Sequence, residues 1–213
     1  MTHPGQAGLA AADLVLHALR CTGFASAGRV AAAAGFDEAD VESLLIDLAV
    51  AGLVTHEAGD FGGWGVTEAG RAADAARGAR EIAATGTRPA VVAAYERFLP
   101  LNQELLDLCG AWQMRSIDGV AMANDHTDAA YDDRVLDRLG AFHGRAAAVL
   151  ADLAAALPRF GRYRDRLAHA LSRARAGALD HVTDSMASYH TVWFELHEDL
   201  LTTLGIPRWG IPR

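Results

Sequence analysis

The sequence predicts a mainly α-helical protein that contains one small β-hairpin. Alanine dominates the composition and only 7% of the residues are aromatic, a balance that favours helix. Apolar residues also recur at helical spacing through most of the chain. The clearest break in this pattern lies between Gly52 and Thr67, where two short apolar segments flank the sequence GDFGG. Glycine tolerates positive φ angles, so we expect two strands joined by a tight turn.

Three short helices are predicted before this hairpin, over residues 7–20, 26–34 and 37–51. Ser26 and Asp37 begin the second and third of them and are suitable N-caps, because their side-chain oxygens can accept from a free backbone N–H. The apolar residues of the third helix repeat at i, i+3, i+4 and i+7, which predicts one buried face. These residues are Val41, Leu44, Leu45 and Leu48.

Residues 36–71 carry the pattern that is most informative about function. Their order of helix, strand, glycine-rich tip, strand and new helix predicts the second half of a winged helix-turn-helix. The sequence AVAGLV, the glycine-rich tip and the closing GVTEAGR make residues 7–84 resemble the MarR-like winged helix-turn-helix transcriptional regulators. The resemblance implies a dimeric transcription factor that reads the DNA major groove with its third helix. The DNA-contacting residues that follow from it are Arg29, Ser43, Arg71 and Arg77.

The charge of this region disagrees with a DNA-binding role. Between Phe36 and Gly70 there are eight acidic residues and no Arg or Lys, and residues 1–85 hold five Arg against eleven acids. The predicted tip carries Asp60 and Phe61, where DNA-reading wings generally carry Arg. Phosphate contacts supply much of the affinity for DNA and require positive charge. A protein-interaction or ligand-binding module that never contacts DNA is therefore an equal alternative.

The sequence TGTRP at 85–89 predicts a boundary between two domains. We expect a winged helix-turn-helix domain over 1–85 and a helical dimerisation or effector-binding domain over 86–213. Helices are predicted over 89–114, 131–157, 160–176 and 178–204, with a loop or short helix at 116–130. Pro100 is expected to kink or break the first of these helices.

A second resemblance covers the later part of the chain. The segments FLPLNQELLDL, WQMR, NDHTDAAYDDRVLDRL and YHTVWFELHEDLLTTLG are similar to the helical C-terminal region of some actinobacterial regulators. Some proteins with that region are associated with pyruvate, phosphate dikinase-like enzymes. The resemblance implies a regulatory or docking role beside an enzyme that handles phosphoenolpyruvate. The chain has no glycine-rich phosphate loop of its own, which argues against its being that enzyme.

Two groups of side chains in the helical part are candidates for small ligands. Trp112, Phe142, Tyr189 and Trp193 could line an apolar effector pocket between helices, or they could simply form the core. His143, His190 and His197 could hold a divalent metal, as helical bundles do with facing side chains, or they could make ordinary hydrogen bonds. This order of helices and histidines resembles the metal-binding effector domains of GntR-family regulators. Apart from that metal, no cofactor is predicted.

The sequence as a whole favours a cytoplasmic, homodimeric transcriptional regulator. No nucleophile, dinucleotide or P-loop motif is present, so we expect a protein that is not an enzyme. The expected partners are DNA, a protein and a small-molecule effector, and we expect no membrane association because no apolar run is long enough to span one. A metal-dependent helical sensor or enzyme is the third possibility.

Overall fold

The computed structural model describes residues 4–59, 61–117 and 119–207 and shows a mainly helical chain with small antiparallel hairpins. The helices are α1 (Pro4–Thr22), α2 (Ala27–Ala34), α3 (Glu38–Val50), α4 (Glu68–Thr85), α5 (Arg88–Gln113), α6 (Ala129–Ala156), α7 (Gly161–Arg175) and α8 (Tyr189–Leu204). The strands are β1 (Val54–Glu57), β2 (Gly63–Val66), β3 (Met114–Ile117) and β4 (Val120–Ala123). The predicted fold class is therefore confirmed in its coarse form, a helical chain with a small two-stranded sheet.

Contacts divide the chain into two compact units, 1–86 together with 197–213, and 87–196. The sequence-based division at 85 differs from this because it assigned residues 197–213 to the second part. Helix α8 contributes to both units, since its residues up to Leu196 belong to the second and those from His197 to the first. Among the described helices, none has the length and apolar character needed to cross a membrane.

In the first unit, helices α1, α2 and α3 pack around a single apolar core. The predicted caps are confirmed: Asp37 accepts from the backbone N–H of Ala39, and Ser26 accepts from that of Arg29. The apolar side of α3 that was expected to be buried does face inward, with Leu44 only half-buried. Core side chains from the three helices and the hairpin include Val15, Leu19, Val30, Val41, Leu45, Leu48, Val54 and Trp64.

The β1–β2 hairpin lies against this core in a fixed register. Val54 pairs with Val66 and Glu57 with Gly63. Gly70, at the start of α4, is the glycine of TEAGR, and a Cβ built on it would collide with the Leu53 carbonyl oxygen. The close approach of α4 to the chain before β1 therefore requires glycine at this position.

The second unit packs helices α5, α6 and α7 together with the first half of α8. Its core is rich in aromatic side chains. Phe98 stacks on Trp193 with ring centroids 4.7 Å apart, and Phe142 meets Trp193 edge-on at 5.2 Å. Such pairs add to the stability that area burial alone provides.

Several local predictions for the second unit differ from the structure. Of the kink or break expected at Pro100, the break is absent, because helix α5 continues through this residue. The expected loop or short helix at 116–130 instead begins with the β3–β4 hairpin, paired from Met114 with Ala123 to Ile117 with Val120. The helix predicted from 178 begins only at Tyr189, after a single 3-10 turn at Leu179–His181.

Candidate functional site

The exposed side of α3 is the surface on which a DNA-reading role depends. Its solvent-facing residues recur at helical spacing and combine acidic with apolar side chains. Ile46 is 52% exposed and Val50 is 86% exposed. We call this surface the α3 face, and its residues are Glu42, Ser43, Ile46, Asp47 and Val50. These five residues include two carboxylates and no basic side chain that could contact a phosphate.

The hairpin beside α3 is equally poor in positive charge. Phe61, in the turn between β1 and β2, is 97% exposed, and Glu57 is exposed at the end of β1. His56 packs its ring against Trp64 with centroids 4.5 Å apart. Asp60, which was expected at the tip, lies outside the described residues. The described part of the hairpin therefore offers an exposed aromatic ring and a carboxylate, with no Arg to contact DNA.

The four residues predicted to contact DNA lie on α2, α3 and α4 of the first unit, and three of them are basic. Ser43 lies on the α3 face, where its hydroxyl donates to the Ala39 carbonyl at 3.0 Å. Arg71 donates to the Val66 carbonyl at 3.1 Å, and Arg77 lies 3.5 Å from both Asp74 and Glu81. Arg29 is half-buried in the first turns of α2.

An open cleft in the first unit, with a volume of about 640 Å³, is large enough for a small molecule. Its apolar walls include Leu19, Phe24 and Leu201, and its polar groups include Arg20 and Arg71. Arg20 also donates to the Arg71 carbonyl at 2.8 Å, which links α1 to α4 at the rim. The cleft is thus where the fold leaves room for an effector, and the sequence did not indicate it.

A buried polar cluster lies below the surface of the same unit. The ring of His17 is 1% exposed and is held at both nitrogens by carboxylates that are themselves fully buried. Nδ1 lies 3.0 Å from Asp74 and Nε2 lies 3.0 Å from Asp199. The sulfur of Cys21 is 3.7 Å from Nε2. We call His17, Cys21, Asp74 and Asp199 the His17 cluster.

The charges around His17 decide its protonation. Burial alone lowers its pKa, but the charges of Cys21 and Asp199, together with the hydrogen bonds that the ring donates to Asp199 and Asp74, raise that pKa well above 6.5. Burial alone would raise the pKa of Asp74, but His17 lowers it, helped by Arg77 and Arg20. A positively charged ring thus lies between the two carboxylates, and Arg20 and Arg77 add positive charge beside Asp74.

The residues predicted as an effector pocket are core residues. Trp112, Phe142, Tyr189 and Trp193 are all at most 2% exposed. Phe142, Tyr189 and Trp193 contact one another, whereas Trp112 packs against His126 instead, at 4.6 Å. The gap beside Tyr189 has no room for a water molecule. The structure therefore places these aromatics where they stabilise packing.

The three histidines predicted as metal ligands are not brought together. His143 Nδ1 lies 3.0 Å from the Tyr189 hydroxyl, and burial followed by the charge of Arg175 lowers the pKa of this histidine. His190 and His197 both lie on α8, but His190 belongs to the second unit and His197 belongs to the first unit. Within the described residues, the one group of three ligand-type side chains whose ligand atoms converge is His17, Cys21 and Asp199.

Sequence reasoning missed the His17 cluster, although part of its signal was present. His17 and Cys21 are four residues apart on α1, so they share a helix face. A histidine at such a position needs a buried partner. Nothing in the spacing indicated that Asp74 and Asp199 would supply it. The chain matches no protein-family model, no curated protein and no solved structure.

Proposed function

We propose that this chain is a regulatory protein whose first unit is a winged helix that docks onto a protein partner through the α3 face. The observation that carries this proposal is the charge of that face. Glu42 and Asp47 flank Ile46 and Val50, and no basic residue lies among them. Exposed apolar side chains ringed by one sign of charge are typical of a protein-interaction surface.

The chemistry of the α3 face specifies what the partner should offer. Ile46, Val50 and the ring of Phe61 would enter an apolar groove, since large exposed apolar side chains gain most from burial on binding. Glu42 and Asp47 would meet Arg or Lys at the rim of that groove. Such rim charges mainly accelerate association and exclude wrong partners.

A transcriptional regulator that contacts DNA is the second candidate, and the order of elements favours it. Three helices followed by a hairpin and a fourth helix is the order that the MarR-like resemblance requires. In such a protein α3 would enter the major groove, where a carboxylate can accept from a cytosine amino group. Its acidic face would still repel the phosphates on either side.

One double variant separates the two candidates because it acts on them with opposite sign. Replacing Glu42 by Gln and Asp47 by Asn removes two negative charges from the α3 face. If the partner is a basic protein surface, binding should weaken. If the partner is DNA, binding should strengthen and become more salt-dependent. Asp133→Asn with Asp137→Asn on the exposed side of α6 is the matched control, with the same change in net charge.

The protein partner can be captured by a photo-crosslinking amino acid placed at Ile46 in the producing cell. We expect a crosslinked protein from position 46, and none of the same mass when the crosslinker is placed at Asp137. The Glu42→Gln, Asp47→Asn background should reduce that product. Mobility-shift assays with genomic DNA fragments at low salt test the DNA-binding alternative. Tight DNA binding that added salt abolishes would contradict the protein-docking proposal.

The remaining parts of the chain complete the proposal. The helices of the second unit would form the dimerising bundle, which sedimentation of the purified protein would test. The cleft beside Arg20 and Arg71 would admit a small-molecule effector. A crosslinked partner that handles phosphoenolpyruvate would support the docking role implied by the second resemblance.

A further inference from the structure

Three potential metal ligands of different chemistry converge inside the first unit. The ligand atoms of His17, Cys21 and Asp199 all lie within 4.8 Å of one another, and all three side chains are buried. His17 and Cys21 are fixed one helical turn apart on α1, while Asp199 comes from α8. The three donors are imidazole nitrogen, sulfur and carboxylate oxygen, so this is more than a cluster of acids.

The spacing of these atoms fits a small tetrahedral ion. Bonds of about 2.0 Å to nitrogen and oxygen and about 2.3 Å to sulfur place tetrahedral ligand atoms about 3.3 Å (N···O) and about 3.5 Å (N···S) apart. In this protein Nε2 of His17 is 3.0 Å from the Asp199 oxygen and 3.7 Å from the Cys21 sulfur. These two separations are within a few tenths of an ångström of the tetrahedral values, and the Cys21 sulfur lies within 4.8 Å of the Asp199 oxygen.

The surrounding residues already hold the ligands as a metal centre requires. The other ring nitrogen of His17 faces Asp74, at 3.0 Å, which is the carboxylate–histidine arrangement that orients metal-bound imidazoles. Asp74 is held in turn by Arg20 at 3.3 Å and Arg77 at 3.5 Å. The Thr203 hydroxyl donates to the Asp199 oxygen at 3.0 Å.

We propose that His17, Cys21 and Asp199 form a binding site for a divalent ion of the zinc class. Thiolate and imidazole select such ions over Mg²⁺ and Ca²⁺, which prefer oxygen ligands. The ion would displace one proton from His17 Nε2 and one from the Cys21 thiol, and the Nδ1 proton would stay on the hydrogen bond to Asp74. Thiolate and carboxylate together would balance the charge of the ion. A water molecule or the second Asp199 oxygen would complete four-coordination.

The bound ion would connect α1 with α8, two helices that are far apart in the sequence. His17 and Cys21 lie near the start of the sequence and Asp199 near its end, and all belong to the first unit. An ion that binds the folded state alone stabilises it in proportion to the logarithm of its concentration over the dissociation constant. This role is independent of whether the α3 face binds protein or DNA.

The test is cobalt substitution of the full-length protein, unfolded and refolded with equimolar Co²⁺ so that burial cannot prevent entry. We expect the near-ultraviolet charge-transfer absorption of a cobalt–thiolate bond and the visible bands of tetrahedral Co²⁺, both displaced by Zn²⁺. The chain has two cysteines, which provides a matched pair of variants. Cys21→Ala should remove the thiolate absorption, and Cys109→Ala should keep it, because the converging ligand atoms found among the described residues include Cys21 and not Cys109.

A second variant keeps the test decisive if Cys21→Ala fails to fold. Asp74→Asn leaves all three ligands in place and should weaken Co²⁺ binding by about 10- to 100-fold, as loss of a histidine-orienting carboxylate does. Zn²⁺ should raise the thermal unfolding midpoint of the wild-type protein, and a chelator should return the midpoint to its metal-free value. Absence of thiolate absorption in refolded wild type, or its loss in Cys109→Ala with retention in Cys21→Ala, would overturn the proposal.

Discussion

Asp74 offers the sharpest test of what stabilises the first unit. Its side chain is fully buried and contacts one ring nitrogen of His17, Arg20 and Arg77. Asp74→Asn preserves the shape but removes the charge, so one oxygen becomes an amide that faces donors. Breaking a buried ion pair by removing one partner costs about 3–5 kcal/mol of unfolding free energy. Because Asp199 still pairs with His17, we expect the lower end, about 3 kcal/mol.

The matched control is an ion pair that is shorter but exposed. Arg97 and Asp152 are 2.7 Å apart, with side chains 51% and 55% exposed. Water screens such a pair, so Asp152→Asn should cost about 0–1 kcal/mol. The loss of unfolding free energy should therefore be larger for the buried pair, although the exposed pair has the shorter N···O distance.

Urea unfolding followed by circular dichroism, in buffer with a chelator, measures both costs. With a slope of about 2 kcal/mol per molar urea, the Asp74→Asn midpoint should fall by about 1.5 M. Amide hydrogen exchange should accelerate in α1 and α4 and stay unchanged in α6. A loss below about 1 kcal/mol for Asp74→Asn, or an equal loss for Asp152→Asn, would refute the reasoning, because the buried network would then contribute no more than a surface pair.

Three further predictions concern packing and pH. Gly70→Ala should destabilise the protein, because the new Cβ would also meet Val66 Cγ1 at 2.8 Å. Gly78→Ala in the same helix would place its Cβ where nothing lies within 4 Å, so it should stabilise the protein by about 0.5–1 kcal/mol. Thermal unfolding of the two variants measures both effects. Phe142→Ala should cost about 3–5 kcal/mol in urea unfolding without opening a ligand site, and an unchanged midpoint would contradict its place in the core. The pKa of His143 is lowered in the folded protein, so its contribution to stability is present above pH 6.5 and is lost as the pH falls through the pKa of the folded state. His143→Gln should therefore reduce the dependence of the unfolding free energy on pH in that range. An unchanged pH dependence would refute the lowered pKa.

Local chemistry made part of the fold predictable. Ser26 and Asp37 were expected N-caps, and each accepts a backbone hydrogen bond within three residues. A cap depends only on its immediate neighbours, so spacing along the chain is enough to identify it. The β1–β2 hairpin was expected for the same reason, from its glycine-rich turn.

The β3–β4 hairpin was missed although it carries a comparable signal. The sequence contains Asp118–Gly119, a pair of residues that favours a two-residue hairpin turn, and in the structure Gly119 has a φ of 81°. The short apolar segments on either side did not alternate clearly enough to be separated from the long helices around them. Here the sequence information was present but weak beside the helical periodicity.

The amino-acid sequence by itself determined the helical class, the caps, the first hairpin and the acidic character of α3, because each depends on composition or on neighbours a few residues apart. Tertiary structure alone decided which polar residues are buried together. From the sequence, Asp74 and Asp199 are indistinguishable from exposed acidic residues on helices. In the fold, Asp74 contacts Nδ1 of His17 and Asp199 contacts Nε2. Side chains so far apart in sequence leave no periodic pattern, and their meeting is set by how the helices pack. The same packing buried the aromatics that were expected to line a pocket and opened a cleft beside Arg20 instead.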